Sequence, residues 1–269
     1  MSSYSEQDKA RLLAKTDRYR DAINQSRPLQ RAELDQLMEY FRVGLTYSSN
    51  AIEGNTLTID ETKVLLEDGL TVGGKPIRDY YEASGHAEAF DFMLSIANAQ
   101  ELTVTEETIM ELHRLFYRRI DELNAGRYRD RQVFITGTDF LPPAPKDVPG
   151  DMAAFVRWAN ESRASTHPVE WAALVHLRFV SIHPFVDGNG RTARLLTNLM
   201  LLNAGYGMVI VPPILRGDYM QAIRLSQSGK ASSATPFVSF IAECVLETQR
   251  DYCRLLRIDP PDRKPPEQS

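Results

Sequence analysis

The chain has 269 residues, 43% of them hydrophobic, enough to bury a substantial core as one domain or one domain with a small appendage. A net charge of −5 without any Lys/Arg-rich block argues against non-specific nucleic-acid binding as the main role. Neither a long apolar run nor a signal-like N-terminus is visible, and the two cysteines, Cys244 and Cys253, suit unpaired thiols, so a protein of the reduced cytoplasm is expected, with no membrane partner.

In chain order, apolar periodicity predicts helices over 6–24 and 31–54, separated by Arg27-Pro28, then a capped helix over 58–67 and a Gly-rich turn over 69–76. Further helices are predicted over 79–98, 105–121, 149–163, 168–182 and 191–205, a short extended piece over 208–211, and helices over 217–227 and 236–257. Residues 258–269 read as a disordered tail by composition. Between the helices at 105–121 and 149–163, residues 132–136 are short and β-branched, Gly137 supplies a turn and prolines follow, which predicts a β-hairpin.

The most informative string is HPFVDGNGRTAR, His183 to Arg194. Pro184 makes His183 a helix boundary, and Gly188, Asn189 and Gly190 lead into the N-terminus of the next helix, where free N–H groups and the helix dipole favour an anion. The two glycines admit a phosphate close to the backbone, and the Asn189 amide is a donor for it. Arg191 and Arg194 are neighbours on the helix surface and can flank a di- or triphosphate. Asp187 precedes the anion loop, where one carboxylate plus phosphate oxygens is a common way to hold Mg²⁺. His183 is the nearby group whose ordinary pKa suits proton abstraction near neutral pH. Alone, each of these residues has a structural reading; together they imply attack on a nucleotide phosphate by an external hydroxyl that His183 deprotonates. His86, His113 and His167 lack acidic or cysteine partners at metal-ligand spacing, so no zinc site is expected, and His176 reads as a buried hydrogen-bonding residue.

The string resembles the signature of Fic-family proteins, HPFx(D/E)GNGRxxR, at every fixed position. The resemblance implies an all-α fold: a helical bundle around a central helix pair that carries the signature loop, with a small β-hairpin flap. It also implies ATP as co-substrate with Mg²⁺ or Mn²⁺, and transfer of AMP to a Ser, Thr or Tyr hydroxyl of a target protein. Carried onto this chain, His183 is the general base and Asp187 holds the metal. Gly188, Asn189, Gly190 and Arg191 line the α- and β-phosphates, and Arg194 grips the γ-phosphate. SSNAIEGN, Ser48 to Asn55, resembles the family's inhibitory motif (S/T)xxxE(G/N), with Ser49, Glu53 and Gly54 in the fixed places. A Glu53–Arg194 ion pair would then fill the γ-phosphate position.

The expected organisation is an N-terminal helical region with the inhibitory helix over 1–56, a core over 57–257 and the tail. Arg129 and the strand Val133, Phe134, Ile135 and Thr136 match the family's flap, which borders the nucleotide and registers an unidentified target by strand addition. Tyr219 falls where the family closes over adenine; it reads equally as a base-stacking ring and as a core tyrosine. Gln227 stands where relatives often have asparagine. A homodimer is plausible by resemblance. Besides an adenylyltransferase restrained by Glu53, two other classes remain: a Fic-type enzyme that moves another phosphate-containing group or removes AMP, and a non-catalytic nucleotide-binding regulator. The intact His183 and Asp187 argue against the last.

Overall fold

The computed structural model describes residues 4–26, 31–99, 102–135, 137–227 and 233–262, and among them it contains ten α-helices and no β-strand. They are α1 (Glu6–Gln25), α2 (Arg31–Ile52), α3 (Ile59–Asp68), α4 (Ile77–Ala97), α5 (Glu106–Tyr117), α6 (Val148–Ser162), α7 (Pro168–Ile182), α8 (Asn189–Asn203), α9 (Arg216–Gln227) and α10 (Thr235–Leu255). The helical elements stand where periodicity placed them, with ends shifted by a residue or a few, as frayed helix termini allow. The Arg27-Pro28 break lies outside the described residues.

Local chemistry sets several boundaries. Ser5 and Asp8 form a reciprocal capping box on α1, and Thr58 and Glu61 form another on α3, so orphan N–H groups are satisfied at both starts. Helix α3 stops at Gly69, whose φ of 67° is left-handed and open to glycine at little cost.

Helix α8 is the centre of the molecule: Asn189 and every residue from Arg191 to Leu201 is buried. Its companion α7 packs along it, α4 and α5 also pack against it, and the end of α2 meets it near its N-terminus through Ser49 and Arg194. Helix α1 lies along α10, and its Leu13, Tyr19 and Ile23 join the same hydrophobic core as Phe41, Phe90, Phe179 and Phe237. Each such large side chain contributes about 1.5–3 kcal/mol by leaving water. The 208–211 segment is extended as expected and is tied down by side chains: Asn198 exchanges hydrogen bonds with Val209, and Thr248 and Tyr252 accept from Ile210 N and Met208 N.

Two expectations are corrected. The flap forms no β-hairpin among the described residues: 132–135 carries no ladder, and Thr136 lies outside those residues. Pro142, Pro143 and Pro145 have no N–H to donate, so side chains serve the carbonyls instead. Gln132 Nε2 donates to Pro142 O at 3.2 Å, and the Arg129 guanidinium donates to Pro143 O at 2.6 Å and Arg131 O at 3.2 Å. The tail, in turn, does not begin at 258. Ile258 N donates to Cys253 O at 2.8 Å, Lys15 pairs with Asp262 at 2.6 Å, and Tyr19 donates to the same carboxylate; 263–269 lies outside the described residues. Among the described residues, no helix is long and apolar enough to cross a membrane.

Candidate active site

The loop from His183 to Gly188 joins α7 to α8, and its shape is fixed by contacts that no single motif position displays. His183 ends α7 in the left-handed region, at φ 52°, with its N–H on Phe179 O. Asn189 faces back into this loop: its Nδ2 donates to Phe185 O at 2.9 Å and its Oδ1 accepts from Phe185 N at 3.0 Å. This reciprocal pair with backbone gives the Asn189 amide a loop-shaping role and engages one of its two N–H donors. Phe185 is fully buried and stacks on His113, with ring centroids 3.8 Å apart. His113 was not foreseen as part of the site. Its Nε2 donates to Asp187 O at 3.1 Å and its Nδ1 accepts from Gly126 N at 2.9 Å, a pairing that requires the neutral ring; burial pushes its pKa down to about 4.

Gly188 is required twice. Its φ of 77° is left-handed, and a Cβ there would come within 2.8 Å of the Phe116 ring. Beyond it, the first N–H groups of α8 are free of helical partners and face the loop.

His183 Nδ1 lies 3.2 Å from Val180 O. A carbonyl only accepts, so Nδ1 carries the proton and Nε2 is left bare. Burial, with the nearby charge of Arg129, lowers the pKa of the ring, which keeps it neutral near pH 7. Arg129 also holds the residue in place, with Nε on His183 O at 2.9 Å and its own N–H on Pro184 O at 2.9 Å.

Asp187 offers a 40% exposed carboxylate. Oδ1 accepts from Gly188 N at 2.6 Å and lies 3.3 Å from Arg191, and Oδ2 lies 2.7 Å from Arg78. No group of three or more metal-ligating side chains occurs among the described residues, so a cation at Asp187 needs ligands from elsewhere, such as phosphate oxygens.

Arg191 is buried above the Phe116 ring, at 4.3 Å, and pairs with Glu82 at 3.1 Å. Its Nη1 meets Glu82 only as an ion pair, without hydrogen-bond alignment, and its Nε has no acceptor, which leaves donor capacity for an incoming anion. Arg78 and Glu82 were not singled out in the sequence. They stand four apart on α4 and pair at 3.0 Å, and the only available sign was a charged pair within a helix otherwise rich in alanine and aromatics.

Ser49 and Glu53 come to this site from α2. Arg194 Nε donates to Ser49 Oγ at 2.9 Å, while Nη2 donates to Ser49 O at 2.8 Å and to Glu53 Oε1 at 2.7 Å. The Glu53 carboxylate occupies the space where a side chain on Gly190 would begin, directly over the N-terminus of α8. It therefore takes the place of an anion there. A carboxylate at the C-terminal end of α2 meets that helix's negative pole; Arg194 and the positive pole of α8 compensate. Burial would raise the Glu53 pKa, yet the charges of Arg194 and Arg191 outweigh it and hold the carboxyl below its ordinary range.

Tyr219 is 2% exposed. Its ring packs against His176, Phe237 and Phe240, so no face is offered to a base, and the stacking alternative is corrected to a core tyrosine. In the flap, Phe134 is 82% exposed while Val133 and Ile135 are half-buried. Gln227 donates to Ser181 Oγ at 2.9 Å.

Comparisons with known proteins bear on the family and the fold. Residues 103–201 match the model of the Fic/DOC family. The curated "Protein adenylyltransferase Fic" of Drosophila melanogaster is 38% identical over 243 residues, covering 88% of this chain and 47% of the relative; the chain thus spans about half the length of the curated relatives it matches. Among solved structures, Fic-1 from C. elegans superposes with a TM-score of 0.84 at 31% identity, covering 93% of this chain and 73% of that one. A Fic-domain-containing signalling protein from Bacteroides thetaiotaomicron gives 0.81 at 30% identity, covering 93% and 98%.

Proposed function

The chain belongs to the Fic/DOC family, and on that premise we propose that it is a protein adenylyltransferase, transferring AMP from ATP to a hydroxyl of a target protein and restrained by its own Glu53. The observation that carries the catalytic half is His183, neutral and with a bare Nε2, beside a loop that presents free N–H groups and two buried arginines. In the reaction, a target hydroxyl oxygen bonds to the α-phosphorus as the bond to the bridging oxygen of pyrophosphate breaks. The hydroxyl proton passes to His183 Nε2, and pyrophosphate leaves with the electron pair. The α8 N-terminus and Arg191 bind the phosphate charge, and Arg194 binds the γ-phosphate. Asp187 would hold Mg²⁺ or Mn²⁺, which when bound neutralises phosphate charge. The exposed Phe134 and the ladder-free backbone of 132–135 offer an edge that a target segment can join.

Geometry supports the proposed restraint. Glu53 uses the Arg194 donor meant for the γ-phosphate and covers the helix N-terminus at Gly190, so the triphosphate cannot settle in line for attack while the carboxylate remains.

The test uses ATP labelled separately at the α- and γ-phosphates, with wild type, Glu53→Gly and Glu53→Gly/His183→Ala. Protein-bound α-label found chiefly with Glu53→Gly and lost in the double variant is expected. Label from the γ-position alone would replace the reading by phosphotransfer. No label from either, with AMP released from a previously modified target, would replace it by removal of AMP.

A further inference from the structure

Three edges of the Arg194 guanidinium are held, and they are held by different parts of the fold. Ser49 takes Nε, and Ser49 O and Glu53 share Nη2; both residues ride on the α2 segment. Nη1 alone reaches the core side, where the Tyr219 oxygen lies 3.4 Å away. Arginine has many rotamers of similar energy, so an edge pinned from the core decides where the plane points when other partners leave.

The direction of that core contact is set by the atoms behind it. Thr197 gives its hydroxyl proton to Ala193 O at 2.8 Å, so its oxygen accepts from His176 Nδ1 at 2.9 Å. Nδ1 therefore carries the ring proton. His176 is fully buried, which drives its pKa well below the ordinary imidazole value and leaves Nε2 bare. Nε2 accepts from the Tyr219 hydroxyl at 2.8 Å, and the tyrosine oxygen is left with lone pairs only for Arg194. Thr197, His176, Tyr219 and Arg194 are each 3% exposed or less, so no water competes along the chain.

We infer that the buried chain Tyr219–His176–Thr197 is the hold on Arg194 that does not depend on α2, and that it aims the guanidinium at the γ-phosphate once Glu53 is withdrawn. Tyr219 and His176 are thus positioning residues, acting through Arg194 and touching no substrate. Ser49 and Glu53 draw the same arginine toward the restrained state. The inference rests on the reading of Arg194 as the γ-phosphate ligand.

The experiment is calorimetric titration of ATP and ADP, with Mg²⁺, into Glu53→Gly and into Glu53→Gly combined with Tyr219→Phe, His176→Gln, Thr197→Val or Arg194→Ala. Tyr219→Phe removes one hydroxyl and keeps the ring. It is expected to lower the preference for ATP over ADP by about three- to tenfold, with ADP affinity unchanged. His176→Gln keeps an acceptor for the Tyr219 hydroxyl and is expected to retain most of the preference; Thr197→Val is expected to lose less than Tyr219→Phe. A packing role alone would weaken both nucleotides together. An unchanged preference in Tyr219→Phe, beside a lost one in Arg194→Ala, would overturn the inference. If Arg194→Ala also leaves the preference unchanged, the γ-phosphate reading itself fails. Should Tyr219→Phe not fold, Thr197→Val carries the test, and an unchanged preference there overturns the inference.

Discussion

Glu53 Oε1 lies 2.7 Å from Arg194 Nη2, and the same carboxylate covers Gly190 at the start of α8. One side chain thereby removes both a cationic donor and access to a helix N-terminus, the two features that a triphosphate would use.

A graded release follows from how Arg194 is shared. Glu53→Gln keeps the shape and loses the charge, whereas Ser49→Ala loses the Oγ acceptor but leaves Ser49 O on Nη2. AMP transfer is expected to rise most in Glu53→Gly, less in Glu53→Gln and least in Ser49→Ala, with about tenfold or more separating the extremes. Initial rates of self-modification at saturating ATP measure the order, and a Ser49→Ala rate above that of Glu53→Gly would contradict it.

His183→Ala in the Glu53→Gly background is expected to bind ATP normally and to lose transfer by about 10²- to 10⁴-fold. Nucleotide titration alongside the rate separates these effects. Retained transfer would remove His183 from the role of base.

Arg78 sits on the Asp187 oxygen that a cation would take, at 2.7 Å. Arg78→Ala is expected to lower the Mg²⁺ concentration for half-maximal ATP binding by about two- to tenfold, because a competing charge-assisted hydrogen bond is gone. Asp187→Ala is expected to abolish the metal dependence. An unchanged Mg²⁺ titration in Arg78→Ala would show that Arg78 does not compete with the metal.

Gly188→Ala places a side chain at a left-handed position and within 2.8 Å of the Phe116 ring. A loss of about 2 kcal/mol or more in unfolding free energy is expected, from the backbone and the overlap together. Gly150, with nothing within reach of a Cβ, is the control: Gly150→Ala, at an exposed position in the first turn of α6, is expected to be neutral or slightly stabilising. Urea unfolding compares the two.

Acid stability is governed first by buried histidines. Burial pushes His113 down to about 4 and His86 to about 3, where the charges of Arg194 and Arg191 add to the effect. Below about pH 6.5 the unfolded chain takes protons that the folded chain refuses, so stability falls as pH falls, and the loss ends once the folded values are passed. At roughly 1.4 kcal/mol for each pH unit of that window, His113 alone contributes about 3 kcal/mol. Paired carboxylates such as Glu53, held below their ordinary range, add losses only at still lower pH. The midpoint of urea unfolding is therefore expected to drop already between about pH 6.5 and 5. A midpoint flat over that range would refute the histidine account.

The string from His183 to Arg194, the Ser49/Glu53 spacing and the helical periodicity were legible without coordinates, because each is a local pattern: a proline that ends a helix, glycines before an N-terminus, residues repeating with the helical turn. The sequence by itself thus determined a mostly helical chain, a glycine-bearing loop ahead of a helix N-terminus, a histidine at the end of the helix before it and a carboxylate at the end of another. Tertiary structure decided what those parts touch. It turned the Asn189 amide inward onto Phe185, buried Tyr219 behind Arg194, and brought Arg78, Glu82 and His113 to the loop from helices that precede it by many residues. It also replaced the expected hairpin with a segment strung on the side chains of Gln132 and Arg129. The reason is the same in each case: a side chain's hydrogen-bond partner depends on which helices pack together, and that packing is settled by burial of the whole core, information spread over the chain and absent from any short window of it.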